Sequence, residues 1–275
     1  MKEQDLKHRI NGARETVKIT RAMQLVSASK MTKAERRLVS AREFLSRMEE
    51  AVRKVGEGET KLTEKRQGTN KTFIVIAGDK GLCGDYNHRI LEYAAELTGN
   101  DENVTVYTVG HFAREFFKKR KEKVNAKYVY LMQGAIVEEI RNFARDLTLA
   151  FEEGKTDEVI LVYTGISENS VSHQELQKVR LLPFELPEQE TKKGILEYKK
   201  DKDGILKQYI WAEIVFALYS AEYALNYKSM AAMRQATTNG EELVDELSLL
   251  FNRLRQEKIT SELMDACSSV SPEEK

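Results

Sequence analysis

The stretch of this chain whose residue types and spacing come nearest to chemistry is Gly78-Asp79-Lys80-Gly81-Leu82-Cys83-Gly84. It follows a short apolar run, Thr72-Phe73-Ile74-Val75-Ile76-Ala77, and precedes an amphipathic segment, which is the setting of a loop that cradles phosphate on backbone N–H groups. The spacing is G-x-x-G-x-x-G, however, and matches neither G-x-G-x-x-G nor G-x-x-x-x-G-K-[ST]. No Lys-Ser/Thr pair closes it. A tight structural turn is the reading this spacing favours. Cys83 has two readings. Lys80 nearby would lower its pKa and make it reactive, or it is an unreactive, partly exposed thiol.

The remaining candidates are plainer. The four histidines, His8, His88, His111 and His173, are widely separated, and none has metal-ligand spacing to Cys or Glu. There is no G-x-S-x-G elbow to present a nucleophilic serine. The paired carboxylates Glu49/Glu50, Glu138/Glu139 and Glu241/Glu242 fall on predicted helix surfaces, where solvation explains them. Met230 and Met233 stand at helical spacing and read as core. The sequence therefore predicts no catalytic residue, no cofactor site and no metal site.

Composition narrows the classes further. The chain has 275 residues, with 44 Lys+Arg against 44 Asp+Glu. A formal charge of zero argues against nucleic acid as the main partner, because phosphate binding needs a basic footprint. With 41% hydrophobic and 32% charged residues, the chain is globular rather than disordered. It lacks the ~18 consecutive apolar residues of a membrane span, so no direct membrane insertion is predicted. Two cysteines, Cys83 and Cys267, make no disulfide framework. The first residues enter charged helical sequence directly, without an apolar signal region. The expectation is a cytosolic chain, or one held at a membrane through partners.

Three blocks must position these residues. Over 1–58 there is a heptad seam at Met31, Ala34, Leu38, Ala41, Leu45, Met48, Val52 and Val55, the pattern of a helix buried along a narrow stripe against another helix. Upstream Ile10, Val17 and Ala28 fit, but Arg21 and Gln24 interrupt, predicting that this part faces something other than one partner helix. Gly56-Glu57-Gly58 ends the helix. A second block over 71–190 alternates strand-like runs at 72–77, 104–109 and 158–163 with amphipathic segments near 86–98, 111–121 and 134–153. That alternation predicts a small Rossmann-like α/β domain with a mainly parallel sheet. The third block, 205–275, carries apolar steps of three and four at Ile210, Ile214, Ala217, Ala221 and Ala224. Further steps run through Leu243, Leu247, Leu250 and Leu254, and then Ile259, Leu263, Ala266 and Val270. A jump of five between Leu254 and Ile259 predicts a change of partner there.

The expected fold class is α+α/β: a long antiparallel coiled coil of the N- and C-terminal helices plus the α/β domain. A helix of ~54 residues is ~80 Å long, whereas a compact globule of this length has a radius of gyration near ~19 Å. The helices are therefore expected to project and to pair with each other. Residues 1–55 carry 14 Lys/Arg and 7 Asp/Glu, and residues 208–275 carry 6 and 11, so the two helices have opposite net charge. Each exposed contact of that kind contributes only ~0.3–0.5 kcal/mol.

Two further clusters do not reduce to core or solvated face: Lys18-Ile19-Thr20-Arg21-Ala22-Met23-Gln24-Leu25-Val26-Ser27-Ala28-Ser29-Lys30-Met31, and Asn252-Arg253-Leu254-Arg255-Gln256-Glu257-Lys258-Ile259-Thr260-Ser261-Glu262-Leu263. With Gly81-Leu82-Cys83-Gly84-Asp85-Tyr86-Asn87 between them, they resemble the gamma subunits of F-type ATP synthases. Met230-Ala231-Ala232-Met233 and Ala236-Thr237-Thr238-Asn239-Gly240 fall in the same family order. The resemblance implies a rotor shaft without catalytic sites of its own, whose paired terminal helices penetrate a ring of alpha and beta subunits. It implies an α/β domain beside the epsilon subunit and the c-subunit ring, and a location at the cytoplasmic face of the bacterial membrane as a peripheral protein.

Carried over by position, the resemblance implies that Arg255 and Gln256 bond to a loop of beta and that Met23 lies near beta. It puts Cys83 in the loop facing an acidic lever of beta, and Leu263 to Val270 in an apolar sleeve. The segment near Leu196–Asp203 would contact the c ring and epsilon. Lys30, Lys33, Arg36 and Arg37 meet the acidic lever or form a solvated helix face. Where the family often has a Glu and an Arg four residues apart, this chain has Leu225 and Ser229, so that contact is expected to be missing or replaced. The basic stretch at 200–203 also departs from the family.

Overall fold

The computed structural model describes residues 3–54, 60–99, 102–120, 122–125, 132, 137–167, 170–185 and 201–268. Val55, Gly56-Glu57-Gly58, the segment 196–200 and Val270 lie outside the described residues. In chain order the elements are α1 (Glu3–Arg53), β1 (Lys71–Ile76), α2 (Tyr86–Thr98), β2 (Val104–Val109), α3 (His111–Lys119), β3 (Lys123–Val124), α4 (Val137–Glu152), β4 (Glu158–Ser167), β5 (Ser170–Leu182) and α5 (Lys202–Ser268). Long N- and C-terminal helices pack together, and a five-stranded, mainly parallel sheet with helices lies between them in sequence, as expected. The chain divides into two units, one of residues 27–229 and the other of 1–26 with 230–275.

In the larger unit the strand order is β3-β2-β1-β4-β5. β1 pairs in parallel with β2 and β4, placing Phe73 beside Val106 and Ile160, and β5 runs antiparallel to β4. Strand periodicity divides β1 between two cores. Phe73, Val75 and Ala77 face α2 and α3, against Ile90, Ala94, Ala113 and Phe117. Ile74 and Ile76 face the other way, toward Phe143, Leu147 and Phe151 of α4 and the buried stripe of α5. Each such large apolar side chain contributes ~1.5–3 kcal/mol relative to exposure.

The expected apolar runs coincide with β1, β2 and β4. Two strands are additional. β3 has only two residues. β5, SVSHQELQKVRLL, carries the charges Glu175, Lys178 and Arg180, because an edge strand has a partner on one side only and charged side chains discourage further pairing.

Helix α5 begins with Asp201 as its cap: its carboxylate accepts the Gly204 N–H at 3.1 Å. Between 206 and 226 it is buried on almost every side. The expected stripe Ile210, Ile214, Ala217, Ala221 and Ala224 is buried, but against the sheet and α4 rather than as the seam facing α1. A second face, Ala212, Phe216, Tyr219 and Tyr223, meets the α1 seam at Met31, Ala34, Leu38, Leu45 and Met48. The all-Ala and Ile stripe is the flatter one and suits the sheet, while the bulky aromatics fill the gap to α1.

In the smaller unit the two helices pair more thinly. Leu6 and Ile10 of α1 pack on Leu247, with Phe251 and Leu254 beside them. Leu243 and Leu250, expected on the stripe, are exposed, so the seam here is Leu247, Phe251 and Leu254. Near the interruption at Arg21 the contacts of α1 with α5 are polar and small, while Ile19, Leu25 and Val26 stay exposed. The hydroxyls of Thr20 and Thr237 lie 2.8 Å apart, and Arg21 forms an ion pair with Glu241. Gly240 lets the helices approach closely, since a Cβ there would stand 2.7 Å from Val17 Cγ2.

Candidate functional site

The glycine-rich loop follows β1 and is tied down from within. Gly78 N–H donates to Asn87 Oδ1 at 2.8 Å, and Asn87 Nδ2 donates to the Lys80 carbonyl at 3.2 Å and to Cys83 Sγ at 3.3 Å. Asp79 Oδ1 accepts the backbone N–H groups of His111 and Met132 at 3.3 and 3.2 Å. The loop thus spends its Gly78 amide on its own asparagine and closes on itself as a tight turn. Gly110, at φ +92°, is required beside it, because a Cβ there would overlap the Ala77 carbonyl.

Cys83 is buried, which differs from both sequence readings of it. Burial pushes its thiol up from the ordinary value, and the hydrogen bond from Asn87 only partly offsets this. The residue the loop presents outward is Leu82, 62% exposed and held at φ +61°. That conformation costs a branched side chain energy. The exposed Phe112 ring lies beside Gly81. Spacing does not distinguish Leu82 from its neighbours, because its outward direction is set by its backbone angles.

Side-chain hydrogen bonds fasten α5 to the α/β domain. Tyr86 donates to the Ala221 carbonyl at 3.2 Å, Gln174 donates to the Ala224 carbonyl at 2.8 Å, and Lys228 donates to Asp85 at 2.9 Å. Lys228 holds the Asp85 carboxyl below its usual range, chiefly through that hydrogen bond. Leu225, one of the two positions that depart from the resemblance, is buried, and its Cδ1 would stand 3.1 Å from a Cβ on Gly78. At this position an apolar contact with the glycine-rich loop stands in place of a charge.

Of the four basic residues on α1, Arg37, though exposed, reaches across to α5. Its guanidinium bonds Glu222 at 3.3 Å and lies over the Tyr219 ring. Burial raises the Glu222 pKa, with Arg37 and Lys30 opposing the shift. Lys33 and Arg36 are exposed. Earlier on α5, Glu213 is buried beside Tyr209 and Glu49, and its carboxyl is pushed up to about 7, mainly by burial and then by the Glu49 charge. Nothing in the sequence pattern singled it out, since a Glu inside an apolar helix announces itself only once both faces of that helix are known to be covered.

In the smaller unit Met23 is half-buried, while Arg255, Gln256 and Leu263 are exposed, as are Ile259 and Met264. Among the described residues no group of three or more His, Cys, Asp or Glu side chains gathers to hold a metal.

The family model for ATP synthase matches residues 2–271. The ATP synthase gamma chain of Caldanaerobacter subterraneus is 31% identical, over 98% of this chain and 100% of that one. This chain belongs to the ATP synthase gamma family. As a gamma subunit it is the central-stalk rotor, a non-catalytic part of the synthase. The gamma chain of Halothermothrix orenii is 33% identical over 95% of both chains. The same fold occurs in the rotor of the Euglena gracilis mitochondrial ATP synthase (TM-score 0.66, 15% identity, 94% of this chain and 98% of that one). It recurs in the central stalk/c-ring structure of the Tetrahymena thermophila enzyme (TM-score 0.58, 22% identity, 79% and 99%). No helix among the described residues of this gamma chain is long and apolar enough to cross a membrane.

Proposed function

We propose that this gamma subunit couples ion-driven rotation of a c ring to ATP synthesis and hydrolysis by turning inside a ring of alpha and beta subunits, whose beta members hold the catalytic sites. The observation that carries the reading is the double anchoring of α5. Between 206 and 226 it is packed on the sheet by one face and on α1 by the other. A shaft that transmits torque needs its driven helix fastened on more than one side, since a single exposed seam would slip.

Within that reading the exposed Arg255 and Gln256 are switchable polar anchors to beta, Arg through its planar fork of donors. Met23 lies close to the same subunit. Leu263, with Val270 beyond it in sequence, turns in an apolar sleeve. Lys33 and Arg36, with Lys30, meet the acidic lever of beta, while Arg37 braces the shaft. At the turn containing Cys83 the contact falls to Leu82, because the thiol is buried. Epsilon and the c ring bind the α/β domain, and the subunit works as a peripheral protein at the cytoplasmic face of the bacterial membrane.

The test is to co-produce the chain with alpha and beta subunits and measure ATP hydrolysis per assembled complex. Arg255→Ala and Gln256→Ala are expected to lower turnover more than they lower assembly. Unchanged turnover per complex would remove the anchor role, and failure of the unaltered chain to co-assemble would remove the shaft role.

A further inference from the structure

A cleft of about 560 Å³ opens between α1, α4 and α5 within the larger unit, lined by Phe44, Arg141, Ala144, Arg145, Lys207, Gln208 and Trp211. Two aromatic side chains, a methyl group and an amide line it together with three cations, and among the described residues no carboxylate does. The aromatic pair is ordered, with the Phe44 and Trp211 rings edge to face at 5.4 Å. The Arg141 guanidinium lies over the Trp211 ring at 4.8 Å. The buried indole Nε1 has no hydrogen-bond partner among the described residues. Each cation has an acid outside the lining: Glu138 on Arg141 at 3.1 Å, Asp146 on Arg145 at 3.9 Å and Glu152 on Lys207 at 2.7 Å.

We propose that this cleft docks an acidic segment of a neighbouring protein chain, one that seats a bulky apolar side chain against Phe44 and Trp211 and sets carboxylates on Arg141, Arg145 and Lys207. The arrangement is that of an interface hot spot, an aromatic centre with a charged rim. Arg over an aromatic face, with N–H donors beyond the one given to Glu138, is the recurring element of such centres. A bare phosphate or other small anion would satisfy the cations and leave the aromatic wall in water, so the fit favours a peptide segment. The proposal depends on the rotor reading only in requiring that the chain have neighbours; it does not need alpha or beta to be the one that docks.

Carbodiimide coupling of the complex isolated through a tag on the full chain tests it. This reagent joins an amine directly to a carboxylate in contact with it, so Lys207 reports what lies in the cleft. The expected product links Lys207 to an Asp or Glu of another chain, next to a bulky apolar residue. Phe44→Ser, and separately Arg141→Glu with Arg145→Glu, should lower that product about tenfold, the size of a hot-spot loss. The internal Lys207–Glu152 link should persist in both variants and so report that the fold is intact. Finding only the internal link in the unaltered complex, or an interchain link that neither variant weakens, would overturn the proposal. Trp211 is the single tryptophan of the chain, so its emission separates other occupants. A saturable change on adding inorganic phosphate, or vesicles containing phosphatidylglycerol, that Arg141→Gln with Lys207→Gln abolishes would reassign the cleft to a small anion or a lipid surface. Co-purification of alpha and beta, scored on the same sample, judges the rotor reading separately.

Discussion

Helix α5 is one continuous helix with two kinds of surroundings. From 206 to 226 it is apolar on nearly every face and buried on nearly every face, with Ile214, Ala217 and Ala221 on the sheet and Phe216 and Tyr223 toward α1. From 230 onward it touches α1 along a narrow line of Thr237, Gly240, Leu247 and Phe251, and leaves Leu243, Leu249, Leu250, Ile259, Leu263 and Met264 exposed. The first region is built as a core is built, by area removed from water. The second is held by a few close or polar contacts while its remaining apolar surface is available to other chains. The lesson is that a stripe of leucines does not by itself say what it faces, because the tighter contacts are made by the threonines and the glycine.

This contrast can be broken experimentally. Ile214→Ala should produce the largest loss, ~2–5 kcal/mol, since it leaves a cavity between sheet and helix. Leu249→Ala, at an exposed position in the other region, should change stability by less than ~0.5 kcal/mol. Urea melts of the full chain check both, and comparable losses would erase the distinction.

The next effect is a pH dependence confined to the buried region. Glu213 has its carboxyl raised from 4.5 to about 7 by burial and by Glu49. The folded state then binds a proton that the unfolded chain has lost, so stability is greatest below the unfolded value, falls as pH rises from about 4.5 to about 7, and is flat above. Glu213→Gln should remove that slope and stabilise the chain at pH above the interval by on the order of 3 kcal/mol, at ~1.36 kcal/mol per unit. Melts on either side of the interval measure it; an unchanged slope would mean that Glu213 is ionised in the fold.

Gly240→Ala sharpens the comparison from the thin side. The added Cβ meets a short, branched neighbour in Val17. Crowding of ~1–3 kcal/mol is partly offset by ~1 kcal/mol of helix propensity. A net loss near ~1 kcal/mol is expected, and Val17→Ala in the same chain should restore it. If Gly240→Ala alone stabilises, the helices are not held close there. The smallest effect belongs to Arg21→Ala, which opens the exposed pair with Glu241 and should cost no more than ~1 kcal/mol, shrinking in salt.

How much of this was legible beforehand depends on how many faces an element buries. The three central strands are buried on both faces, so β1, β2 and β4 stand out as unbroken apolar runs closed by glycine. β5 pairs on one edge only, and its Lys178 and Arg180 mask it. The α1 seam from Met31 to Val52 is explicit in spacing because it is buried along one narrow stripe with exposed residues on either side. The same spacing arguments misplace α5, whose apolar residues serve two neighbours at once. At the candidate contact sites the sequence names the glycine-rich turn, but which of its side chains points out is decided by backbone geometry: Cys83 turns in toward Asn87 and Leu82 turns out at positive φ.

From the sequence alone follow the two long helices, the α/β domain between them, the absence of a phosphate loop and the resemblance to gamma subunits, because periodicity and motif spacing are local and survive without knowledge of neighbours. Only the tertiary structure decides that Ile210 to Ala224 lies on the sheet, that Thr20 meets Thr237, that Glu213 is sealed beside Glu49, and that Phe44, Arg141 and Trp211 converge on one cleft. Those facts depend on residues far apart in the chain being brought within a few ångströms, and burial, charge pairing and cleft formation are properties of that proximity rather than of any residue's place in the order.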